Sequence, residues 1–105
     1  MEQVKLALEQ NKKMILLDTR TTSEWQKAHI PGAIPIPYYI SEREVSKGLP
    51  KDDTWIIAYC GCPHAASDKV IDMLRKKGYQ NTAVIDEGFF IWLQSGYPIK
   101  SGQAK

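Results

Sequence analysis

The sequence predicts an α/β fold: a central, mostly parallel sheet of four to five strands with helices on both faces. Three observations lead there. Short apolar runs, Met14–Leu17, Trp55–Tyr59 and Thr82–Ile85, read as strands buried on both sides. Segments with helical spacing or helix-start signals separate them. Glycines and prolines fall between the two kinds of segment, where the chain must turn. Strands alternating with helices are what parallel pairing requires, because each return to the sheet needs a crossover.

Each element has its own signal. Val4, Leu6, Ala7 and Leu8 predict a short amphipathic helix. The Met14–Leu17 run ends at Asp18. Thr21 and Glu24 have capping-box spacing and open a helix through Trp25 to about Ala28. Pro31, Pro35 and Pro37 exclude helix next, leaving Ala33–Ile36 as a short edge strand or extended segment. Ser41 and Glu44 repeat the capping-box pattern, with an end near Gly48. Trp55–Tyr59 is the best central strand. Val70, Ile71, Met73 and Leu74 mark one face of a helix from about Ala66 to Lys77, stopped by Gly78. Thr82–Ile85 is β-branched and strand-like. Phe89–Gln94 closes as a helix before Gly96 and Pro98. Trp25, Trp55 and Trp92 are expected as core anchors, and His29, Pro31 and Gly32 as turn-formers.

Composition bounds the function. At 105 residues the chain is expected to form one domain over 1–105, and a helix starting almost at Met1 fits excision from a longer protein. A net charge of +2 without blocks of like charge argues against nucleic acid or a membrane surface as partner. No apolar stretch approaches the roughly 20 residues needed to span a bilayer. No signal-peptide pattern is present, so a soluble protein of either cytoplasm or periplasm is expected, as a monomer or weak homodimer. Cys60 and Cys62 lie too close together to staple distant elements, so their value is local.

The richest stretch is 55–67, Trp-Ile-Ile-Ala-Tyr-Cys-Gly-Cys-Pro-His-Ala-Ala-Ser. An apolar run ends in Cys60, a loop of small residues follows, and a helix begins. Ligands of parallel sheets bind beyond the carboxyl ends of the strands, where this order puts Cys60. Backbone N–H groups of Gly61, Cys62, His64, Ala65 and Ala66 would converge on its sulfur; Pro63 has none to give but stiffens the loop. A thiol facing a helix start tends to ionise, and the thiolate is the reactive form. Cys60 is therefore the expected nucleophile. The bland alternative is a small hydrophobe at a strand end.

Its neighbours are more open. Cys62 is either a resolving thiol, forming a strained Cys60–Cys62 disulfide, or loop filler. His64 either favours the thiolate electrostatically or is an exposed loop residue. Cys60, Cys62 and His64 offer three metal ligands where a closed zinc site needs four, so no metal is expected. Ser67, Asp18 and Arg20 are accessory candidates, with Asp18 and Arg20 also readable as a structural ion pair.

Five segments together resemble the rhodanese-like family: Leu16-Leu17-Asp18-Thr19-Arg20; Glu24-Trp25 with His29-Ile30-Pro31-Gly32-Ala33; Ile57-Ala58-Tyr59-Cys60; Lys77-Gly78-Tyr79; and Val84-Ile85-Asp86-Glu87-Gly88 with Trp92. The resemblance covers nearly the whole chain. It implies a rhodanese-like fold and sulfur transfer through a cysteine persulfide, without metal or organic cofactor. Thiosulfate would be a typical donor and a thiol or protein the acceptor.

Three departures qualify it. Ser67 follows Cys60 by seven residues and Gly78 by eighteen, one more than is common, as in the arsenate-reductase and cell-cycle phosphatase relatives. Those relatives need an arginine at the loop end to clamp an oxyanion; Ala65 and Ala66 stand here instead, which disfavours that chemistry. Phe89 replaces a common second glycine and is expected to narrow or cover the pocket. The usual first strand gives way to the helix near Met1. A thiol-redox or sensing module using Cys60 and Cys62, and a catalytically silent interaction domain, are the alternative functions.

Overall fold

The four strands β1 (Met14–Asp18), β2 (Ile34–Pro35), β3 (Trp55–Tyr59) and β4 (Thr82–Val84) form a parallel sheet in the order β2-β1-β3-β4. This arrangement is that of a computed structural model, in which residues 2–10, 13–61, 65–85 and 88–102 are described. The helices among them are α1 (Glu2–Glu9), α2 (Thr22–Lys27), α3 (Glu42–Val45), α4 (Ala65–Lys76) and α5 (Gly88–Gln94). None is long and apolar enough to cross a membrane. The predicted α/β class and parallel sheet are what the chain adopts.

Strand alternation divides the core into two layers. Leu17, Ile56 and Ala58 pack with Val45 of α3 and with Val70, Ile71, Met73 and Leu74 of α4 on one face. Leu16 and Tyr59 pack with Val4 of α1 and with Phe89 and Trp92 of α5 on the other. Full burial of each Val, Leu, Ile, Met or Phe among these stabilises by about 1.5–3 kcal/mol before ordering entropy is counted. The register sets Asp18 of β1 beside Tyr59 of β3 and Pro35 of β2. The strand ends therefore form one rim, and Cys60 stands one residue beyond it.

Several local expectations are refined. Thr21 forms the capping box: the Glu24 N–H donates to its Oγ1 at 3.2 Å, and its own N–H donates to Glu24 Oε1 at 3.3 Å. Ser41 does not. Its hydroxyl donates instead to the Glu44 carboxylate at 3.3 Å, and α3 stops at Val45 rather than near Gly48. Gly78, at φ +96, ends α4 as expected, since only glycine takes that conformation without strain.

Trp25 and Trp92 are buried, each with an indole N–H donated to a carbonyl, of Ala33 and Pro98 respectively. Trp55 is not a core anchor: it opens β3 opposite Met14 and is 49% exposed. The sheet's amino end is less covered than its rim. His29 is also more than a turn-former. It is buried, stacks on Trp25 at 4.3 Å, and exchanges backbone hydrogen bonds of 2.7 Å with Lys100.

Candidate active site

Cys60 is held at the carboxyl end of β3 between the first turns of two helices. Tyr59 points into the α5 face of the sheet, so alternation turns Cys60 toward α4. There the Ser67 hydroxyl donates to its Sγ at 3.7 Å, and both residues are buried. Ala65 opens α4 and half-buried Ala66 precedes Ser67, so the cysteine and the accessory serine are brought together by the helix start. Cys62, Pro63 and His64 lie outside the described residues, as do Asp86 and Glu87. The second thiol and the Cys62 and His64 parts of the expected N–H cradle fall there, while Gly61, Ala65 and Ala66 are described.

The backbone around Cys60 is tied at three successive carbonyls. That of Tyr59 accepts from the Thr19 N–H at 2.9 Å and from Thr19 Oγ1 at 2.8 Å. That of Cys60 accepts from the Phe89 N–H at 2.7 Å, and that of Gly61 from the Phe90 N–H at 3.0 Å. Buried carbonyls need such partners, and here they come from β1's end and from α5.

Behind the cysteine lies a polar network. The Asp18 carboxylate accepts from Arg20 Nη2 at 2.7 Å, from Arg20 Nε at 3.0 Å, and from the Tyr59 hydroxyl at 2.8 Å. Tyr59 Oη in turn accepts from the Ile30 N–H at 3.1 Å. Burial, reinforced by the Asp18 charge, pushes the Tyr59 phenol far above its ordinary range, so it stays neutral. Burial works against the charge of Arg20, but the hydrogen bonds and charge of Asp18 outweigh it and raise its pKa. The guanidinium also donates to the Ala28 carbonyl and lies 4.0 Å from the centre of the Phe89 ring. Asp18 and Arg20 are thus a buried ion pair that braces the rim. Among the described residues, Arg20 approaches the loop with its Cδ, 3.8 Å from where a Cβ on Gly61 would stand.

Phe89 does not cover the site. Its ring is buried against Tyr59, at 6.0 Å between centroids, and beneath Arg20. The aromatic side chain beside the loop is Phe90, half exposed, with Cε2 3.6 Å from the Cβ position of Gly61. Helical spacing carried the signal: Phe89 and Trp92 are three apart and face inward together, which turns Phe90 outward. Thr19, Tyr59 and Phe90 are the residues of this region that sequence reasoning did not single out.

Among the described residues, no group of three or more His, Cys, Asp or Glu is placed to hold a metal ion. The open concavities lined by Lys51, Asp52, Asp53 and Gly78–Asn81 lie at the amino ends of β3 and β4, away from Cys60.

Comparison with known proteins gives the family of the fold. The family model described as a rhodanese-like domain matches residues 1–95. The candidate sulfur carrier protein YrkF of Bacillus subtilis (strain 168) is 26% identical over 92 residues, covering 88% of this chain and 48% of that protein. The mitochondrial protein HIGH ARSENIC CONTENT 1 of Arabidopsis thaliana is 29% identical over 92 residues, covering 77% and 53%. The chain therefore spans about half the length of these two relatives. A crystal structure of thiosulfate sulfurtransferase from Pseudomonas aeruginosa superposes with a TM-score of 0.82 at 25% identity, over 99% of this chain and 20% of that one.

Proposed function

This chain belongs to the rhodanese-like domain family, and on that premise we propose that it is a sulfurtransferase or persulfide carrier with Cys60 as its nucleophile. One observation carries the reading: Cys60 directly follows a central strand, with its sulfur against the hydroxyl of Ser67 on the first turn of α4. The similarity to a sulfur carrier and to a thiosulfate sulfurtransferase supports the same chemistry.

The reaction divides into two displacements at sulfur. The Cys60 thiolate attacks the outer sulfur of a donor such as thiosulfate. The donor's S–S bond breaks, its electron pair leaves on sulfite, and Cys60 holds a persulfide. An acceptor thiolate then attacks the outer sulfur of that persulfide. The bond to Sγ breaks, the pair returns to Cys60 as thiolate, and the acceptor departs as a persulfide.

Each residue has a proposed part. The Ser67 hydroxyl donates to the charged sulfur, and the N–H groups of Gly61 through Ala66, Pro63 excepted, provide the anion cradle. Asp18 and Arg20 are accessory only through the rim they brace. The absence of an arginine at Ala65 and Ala66 separates this site from oxyanion-clamping relatives.

Intact-mass spectrometry after incubation with thiosulfate, polysulfide or 3-mercaptopyruvate tests the proposal. The wild type gains one sulfur atom, Cys60→Ser gains none, and Cys62→Ser still gains it. A Cys60–Cys62 disulfide in place of the added sulfur, lost in Cys62→Ser, assigns the protein to thiol redox instead. No modification with any donor leaves an interaction module.

A further inference from the structure

We propose that the Phe90 ring selects the sulfur acceptor, and that the site hands its sulfur preferentially to thiols bearing an apolar or aromatic substituent. This inference rests on the persulfide reading above. An acceptor thiolate R–S⁻ must approach the outer sulfur on Cys60 roughly in line with the S–S bond, so R passes over the residues that flank the cysteine. On one side stands the first turn of α4, with Ser67 Oγ 3.7 Å from Sγ. On the other stands the first turn of α5.

That second wall is fixed. The Phe89 and Phe90 N–H groups are bonded to the carbonyls of Cys60 and Gly61, so Phe90 cannot swing away with its backbone. Gly61 carries no side chain, and among the described residues outside its chain neighbours the nearest atom to its empty Cβ position is Phe90 Cε2 at 3.6 Å. The ring is half exposed, and α5 has no charged residue in its first or last turn. Its inward neighbours Phe89 and Trp92 belong to the core, so packing does not require the bulk at position 90. An R group crossing Gly61 therefore meets an aromatic ring whose backbone is held in place. Apolar and aromatic groups gain there, while small neutral polar groups and anions gain little.

The transfer balances without an added oxidant or reductant. Cys60–S–SH and R–S⁻ become Cys60–S⁻ and R–S–SH, with one S–S bond broken and one formed.

The test uses two thiols of closely similar acidity, phenylmethanethiol and 2-mercaptoethanol, so that nucleophilicity does not separate them. Cys60 is loaded with thiosulfate, excess donor is removed, and loss of the added sulfur is followed by mass in single turnover. Glutathione persulfide in solution gives the reference ratio of the two rates. The wild type should favour phenylmethanethiol by roughly five- to tenfold over that reference. Phe90→Ala should return the ratio to the reference, and Phe90→Leu should keep part of the preference, which also serves if the alanine variant folds poorly. A wild-type ratio equal to the reference overturns the proposal, as does an equal loss for both thiols in Phe90→Ala. Failure to load any sulfur on wild-type Cys60 is a distinct result, and it overturns the persulfide reading itself.

Discussion

The Tyr59 hydroxyl serves two buried partners at once, donating to Asp18 and accepting from the Ile30 N–H. Tyr59→Phe would leave that N–H without an acceptor and is expected to cost about 1–3 kcal/mol in chemical denaturation. The same residue gives a pH signature. Its folded-state pKa is raised above the ordinary value of about 10, so the unfolded chain loses the proton first. Below that pH the contribution is complete and flat. Above it the unfolded chain binds fewer protons than the folded one, and stability falls as pH rises. Tyr59→Phe lacks this slope, so the gap between variant and wild type should narrow above about pH 10. A constant gap across that range would show that Tyr59 is not the titrating group. None of this was visible from the strand pattern alone, because it depends on the register that sets Asp18 beside Tyr59. The Asp18–Arg20 pair was visible, being two residues apart in one segment.

Two elements begin with the same pattern and differ in what they do with it. At Thr21 the box closes, and at Ser41 the hydroxyl goes to the Glu44 side chain while α3 ends within four residues. Thr21→Ala should therefore cost about 1 kcal/mol, and Ser41→Ala much less, in paired thermal melts. Equal losses would mean that the two caps are equivalent. The contrast also shows where sequence reading stops. Spacing announces a helix start, but it does not decide whether the cap bond forms. Phe89 and Phe90 make the same point at α5: which ring faces inward is set by the helix start at Gly88, and the residue count alone pointed to the wrong one. Trp55 was misread because burial along β3 rises toward its carboxyl end.

Across the molecule, alternation of apolar runs and helical stretches was enough to give the parallel sheet, since that pattern has few other solutions. The last described segment was not legible, because its hold is through backbone groups rather than through residue type. Lys100 exchanges two hydrogen bonds with His29, and the Gly102 N–H donates to the Gln26 carbonyl at 2.6 Å. A chain stopped after Ile99 loses all three and should be destabilised by roughly 1–3 kcal/mol, measured by denaturant titration. An unchanged midpoint would show that these bonds are matched by water in the shortened chain.

The three tethered carbonyls at Tyr59, Cys60 and Gly61 bear on how a cargo could be noticed. A sulfur added to Sγ would extend about 2 Å from an anchor whose peptide groups are already committed on both sides. Full and empty forms would then share one backbone at Tyr59, Cys60 and Gly61. A partner that reads only that stretch of backbone would bind the two equally, and would gain directionality only on contact with the sulfur itself. The direction of traffic would rest on the reactivity of one atom.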